Sequence, residues 1–69
     1  MRTVKVYRFE YFDYAKREKR VSDDFATREA IAALGATLLP RTECVVDERV
    51  LSGNGLVLAR NMPPCLDDE

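Results

Sequence analysis

No histidine occurs among the 69 residues of this chain, which removes the side chain whose proton exchanges near neutrality and on which most general acid–base catalysis relies. Carboxylates, thiols or lysines would have to do that work instead. Structural zinc takes four ligands, normally Cys and His, and two cysteines at irregular spacing leave such a set incomplete. Glycine is scarce as well. Gly53-Asn54-Gly55 lacks the third glycine and the following helix of a dinucleotide loop, and because Leu56-Val57-Leu58 reads as a strand it predicts a tight hairpin turn. The longest uncharged run, Ala30 to Pro40, has eleven residues and holds a glycine and a proline, whereas a membrane-spanning helix needs about 20 apolar residues.

Cysteine is equally sparse. Met1 to Arg8 carries charges where a signal peptide keeps an apolar stretch, so the sequence places the protein in the cytoplasm. Two cysteines in that setting predict reduced thiols. Cys44, inside Cys44-Val45-Val46, reads as a small buried hydrophobe, and Cys65, behind Pro63-Pro64, reads as exposed. These absences predict a protein that is not an enzyme, with no cofactor, no metal site and no membrane partner.

Against them stands an ordinary globular composition, 46% hydrophobic and 33% charged, which places the chain away from the disordered regime. Its charge is dipolar: residues 1 to 20 hold seven Lys/Arg against three acids, and residues 21 to 69 hold four against nine. Such asymmetry permits pairing in which a basic end meets an acidic one. A chain this short buries only about 60% of the surface its unfolded form exposes, so a partner surface would supply missing burial.

The clearest local signal is a helix over Asp23 to Gly35, starting at Asp23 or Asp24, or later with Thr27 as cap, and stopped by Gly35. Its apolar face comprises Thr27, Ile31 and Leu34 beside Ala26, Ala30 and Ala33. Thr3 to Phe12 reads as a strand with Val4 and Val6 on one face and Tyr7, Phe9 and Tyr11 on the other, which requires either a bulge near Val6-Tyr7 or cover on both faces. Asp13 to Glu18 is a polar turn into a short charged strand ending at Ser22, suited to a sheet edge. Pro40 marks a break, Thr42 to Asp47 a strand, Asp47 to Leu51 either more strand or one helical turn, and Leu56 to Ala59 the last strand.

The expected fold is therefore α+β, two-layer, in ββαββ order, with one mostly antiparallel sheet and one helix packed across one face. Residues 1–60 form a single small domain, and residues 61–69 a flexible acidic C-terminal tail. Its expected core is Val4, Val6, Phe9, Ile31, Leu34, Val46, Leu56 and Leu58.

Adjacent acids, Asp23-Asp24 and Asp47-Glu48, point in different directions on a helix or strand, so they read as a helix cap and a solvated turn rather than a catalytic pair. What remains is contact. The sequence predicts a small interaction module that self-associates or binds a protein partner through a sheet face or strand edge. Tyr7, Tyr11 and Phe12 are the candidate contacts, with Arg8 and Arg17 at the rim, because aromatic and arginine side chains dominate interface energetics. The alternative is a nucleic-acid-binding accessory protein that stacks bases on Tyr7, Phe9 and Tyr11 and neutralises phosphates with Lys5, Lys16, Arg17, Lys19 and Arg20. A sequence pI near 5.4 weighs against that alternative.

Overall fold

The apolar run from Thr3 to Phe12 does not form one strand. In the computed structural model, which describes residues 2–66, it divides at Arg8 into β1 (Thr3–Tyr7) and β2 (Phe9–Asp13), and the two halves enter different sheets. Arg8 is withdrawn from the ladder by the turn at residues 39–42: its N–H donates to Thr42 Oγ1 at 2.7 Å, and its carbonyl accepts from the Leu39 N–H at 3.1 Å.

β1 lies inside a four-stranded sheet ordered β6 (Cys44–Asp47), β1, β4 (Phe25–Thr27), β7 (Leu56–Val57). β2 is the middle of a second sheet, β3 (Glu18–Val21), β2, β5 (Thr37–Leu38). Every pairing is antiparallel. The molecule is thus a small α+β fold with two antiparallel sheets and one helix, and the single ββαββ sheet expected from the sequence is not formed.

Successive residues of a strand face opposite sides, and here both sides are covered. Val6 enters one cluster with Cys44, Val46 and Val57. Tyr7 enters the other with Phe9, Ala26 and Ile31. No bulge is needed, since an interior strand covered on both faces accounts for the broken alternation. The same geometry splits β7: Leu56 packs against the Tyr7 cluster, and Val57 is buried in the other. Of the expected core, Val6, Phe9, Ile31 and Val46 are buried and Val4 and Leu56 are half-buried, whereas Leu34 and Leu58 are exposed.

The helix α1 (Arg28–Leu34) begins later than Asp23, because Phe25–Thr27 is the strand between β1 and β7. Thr27 Oγ1 caps it by accepting the Ala30 N–H at 3.1 Å, and Gly35 ends it at φ 71°. Ile31 is the one buried residue of this helix. The Ser52–Gly55 turn forms, yet β7 pairs with β4 and not with β6, so the expected hairpin with the preceding strand is absent.

Gly55 sits at φ 80°, and a Cβ there would come within 2.9 Å of Thr27 Oγ1 and 3.1 Å of Ala30 Cβ. Gly55→Ala therefore combines left-handed strain with displacement of the helix cap. A loss of about 2 kcal/mol in urea unfolding is expected, and an unchanged midpoint would refute this packing.

Between β6 and the turn, Glu48–Val50 is a single 3₁₀ turn, which decides the ambiguous segment. Asp47 caps it, accepting the Arg49 N–H at 2.9 Å and pairing with Arg49 Nη2 at 3.1 Å. These hydrogen bonds, with the side-chain one foremost, hold the Asp47 carboxyl below its ordinary value. A folded-state depression stabilises the protein above the unfolded-state pKa, and the contribution is lost as pH falls through the folded one. In a carboxyl NMR titration Asp47 should titrate below a free aspartate, and Arg49→Ala should return it towards the ordinary value.

Residues 61–66, assigned by composition to a flexible tail, are held to the fold: Met62 packs on the Val6 cluster, and the Leu66 N–H donates to the Val45 carbonyl at 2.8 Å. Cys65 is bonded to Cys44, which corrects the expectation of two reduced thiols. The chain folds back along β6 and brings the two Cα atoms to 5.2 Å, a proximity that 21 positions of sequence conceal. The remaining tail residues, 67–69, lie outside the described residues. Among the described residues no helix is long and apolar enough to cross a membrane.

Candidate functional site

Beyond Glu10, β2 loses its neighbour on one side, because β5 pairs only with Phe9 and Glu10. The outer part of the β2–β3 hairpin therefore extends beyond β5. Its turn is built locally: the Asp13 carboxylate accepts the N–H groups of Ala15 at 3.0 Å and Lys16 at 3.2 Å, and Arg17 takes a left-handed φ of 54°. Every residue of β3 is exposed. Large apolar side chains are left in solvent along this projection: Tyr11 is 39% exposed, Phe12 44%, Val21 46% and Tyr14 83%. Phe12 and Tyr14 meet edge to face at a centroid distance of 4.9 Å, and Tyr11 lies 6.3 Å from Phe9.

Facing the hairpin is the end of α1, where Leu34 is 58% exposed. Between them opens a groove of about 580 Å³, walled by Phe9, Tyr11, Phe12, Leu34 and Ala36 and closed on one side by Ser22, Asp23 and Asp24. The acidic side is ordered. Ser22 is buried; its N–H donates to the Phe9 carbonyl at 2.8 Å, and its Oγ accepts the Asp24 N–H at 2.9 Å. Asp24 Oδ1 accepts the Ala59 N–H at 2.9 Å, while the Asp23 side chain is 88% exposed and meets Arg8 Nη2 at 3.4 Å. An apolar floor beside carboxylates favours an aromatic or aliphatic anchor flanked by cations, since buried aromatic contact supplies energy and opposite charge supplies orientation.

The residues singled out from the sequence separate. Tyr11 and Phe12 line the groove, and Arg17 stands at the exposed hairpin turn. Arg8 is half-buried and structural, its Nε donating to the Ser22 carbonyl at 2.8 Å. Tyr7 is buried at 5% and its hydroxyl donates to Glu43 Oε2 at 3.1 Å. Phe9 is buried too, so of the row Tyr7, Phe9, Tyr11 only Tyr11 has an exposed ring, and Tyr7 belongs to the other sheet. Lys5 lies 3.9 Å from Glu43, away from Lys16, Arg17, Lys19 and Arg20 on the hairpin, all of them exposed. Asp23, Asp24 and Leu34 were not picked out as contacts, although an acidic pair just before the helix was visible as a charge cluster.

A second, shallower cleft of about 440 Å³ gathers Lys5, Tyr7, Arg28, Glu29 and Glu43. Its charges are largely mutual: Glu43 takes the Tyr7 hydroxyl and Lys5, and the Arg28 guanidinium lies 6.0 Å from the centre of the Tyr7 ring. Among the described residues no group of three or more His, Cys, Asp or Glu side chains gathers to hold a metal ion. Compared with known proteins, the chain matches no family model, no curated protein and no solved structure.

Proposed function

We propose that this protein is a non-catalytic interaction module that self-associates through the groove between its hairpin and the end of α1. The observation that supports this reading is the gathering of Tyr11, Phe12 and Leu34 beside Asp23 and Asp24. The hairpin tip of a second copy has the complementary chemistry, with Tyr14 almost fully exposed and Lys16, Arg17 and Lys19 in or next to the turn, while Arg20 pairs with Asp13 at 3.8 Å. Tyr14 of one copy enters the groove of the other, and the reciprocal contact closes a two-fold dimer.

Sedimentation across a concentration series tests the reading. A dimer is expected at tens of micromolar, and because the two-fold contact uses Tyr14 twice, Tyr14→Ser should weaken it by about 1,000-fold, the loss of two aromatic hot spots of about 2 kcal/mol each. Tyr14 is a safe site for this substitution, because a side chain 83% exposed contributes little to the fold. A monomer at every concentration, or a dimer indifferent to both Tyr14→Ser and Leu34→Ser, would count against the proposal. Binding to a single-stranded oligonucleotide that weakens steeply with salt would instead favour a nucleic-acid partner for the basic hairpin.

A further inference from the structure

β6 is an edge strand of its sheet, and an edge strand presents unpaired backbone groups. Part of this edge is occupied by the chain itself. Residues 59–66 cross to it as a strap: a 3₁₀ turn (Ala59–Asn61), Met62 against the Val6, Val46 and Val57 cluster, Pro63-Pro64, then Cys65 bonded to Cys44 and the Leu66 N–H on the Val45 carbonyl at 2.8 Å. Two prolines, Pro63 and Pro64, deprive the strap of donors just before it reaches β6. Among the described residues, that one hydrogen bond is the only backbone bond from residues 63–66 to the rest of the fold. Beyond the root of the strap, where the Ala59 N–H donates to Asp24 Oδ1 at 2.9 Å, one hydrogen bond and the partial burial of Met62 and Pro63 do not offset the conformational entropy of ordering the segment. The covalent bond is what holds it.

We propose that the Cys44–Cys65 bond is a redox latch: a dithiol reductant opens it, the strap leaves, and the outer edge of β6 is uncovered while the two sheets persist. The accessibility of the two halves suits such a device, since Cys44 is 2% exposed within the core cluster and Cys65 is exposed. A thiolate of the dithiol attacks the Cys65 sulfur and breaks the sulfur–sulfur bond, and Cys44 departs as a thiolate that takes a proton. The second thiol of the reductant then displaces Cys65, so two electrons and two protons pass to the protein and the dithiol leaves as a cyclic disulfide. After release, Cys44 remains as a small apolar core residue and Met62 no longer packs on its cluster. The edge is then open to strand addition.

Two-dimensional amide NMR of the full chain, before and after dithiothreitol, reads the latch directly. Complete reduction, checked by the mass gained on thiol alkylation of a denatured sample, should move the resonances of residues 59–66 to disordered positions. The Leu66 amide should then exchange at its unprotected rate, while β1, β2, β4 and β6 keep folded chemical shifts. Cys65→Ser should give the same spectrum without reductant. The proposal is overturned by strap resonances that stay in place after full reduction, by loss of folded shifts throughout the chain, or by two free thiols in the air-oxidised protein.

Discussion

Reduction of the Cys44–Cys65 bond is expected to lower the unfolding free energy by up to about 3 kcal/mol, the chain-entropy value for a closed loop of this length. The bond spans 21 positions, from Cys44 in β6 to Cys65 beyond the last strand, so it restricts both β7 and the turn before it in the unfolded chain. A domain of this size rarely holds more than about 3–5 kcal/mol from its core alone, which makes the loss a large share of the total. Release of the strap in the folded state gives part of the restored freedom to both states, so about 3 kcal/mol is the upper bound of the loss. Urea unfolding of the oxidised, reduced and Cys65→Ser forms measures it. Coincident midpoints for all three would show that the bond does not constrain the chain.

The second large effect is expected at Ile31. A helix of seven residues does not persist in isolation, so α1 survives by docking, and Ile31 is the single buried side chain through which it docks on Tyr7, Phe9 and Ala26. Ile31→Ala should cost about 3–4 kcal/mol, because it removes the one fully buried side chain of the helix and leaves a cavity beside Tyr7, Phe9 and Ala26. Leu34→Ala, three positions along the same helix, should cost no more than about 0.5 kcal/mol, since Leu34 is 58% exposed. The contrast is the test. On sequence periodicity the two residues are equivalent, so equal losses in urea would show that the helix lies on a different face.

Which features could be read from the chain follows from how far apart the interacting residues lie. The hairpin was legible because Asp13 caps its own turn within three residues and the charged run Glu18 to Val21 suits an edge. Gly35 was legible as a helix stop for the same reason. β4 was not: it has three residues, too few for an alternation, and Asp23-Asp24 before it imitates a helix cap. Tyr11 and Phe12 stayed exposed, as a contact surface requires, whereas Tyr7 did not. Its burial comes from β4 and Ile31, supplied by segments about twenty positions away. Leu34 and Asp23 line one groove with Tyr11 and Phe12 although they lie about ten to twenty positions away in sequence, a proximity only the fold creates.

By itself, then, the sequence determined the local vocabulary of this protein: an α+β composition, the hairpin turn, the glycine that ends the helix and the scarcity of reactive groups. Those depend on backbone preferences and capping chemistry exerted over a few residues. Tertiary structure alone decided that one apolar run serves two sheets, that β7 joins β4, that Cys44 meets Cys65 and that Leu34 faces water. Each of these is a competition among distant segments for the same surface, and no stretch of chain carries the outcome until the others are in place.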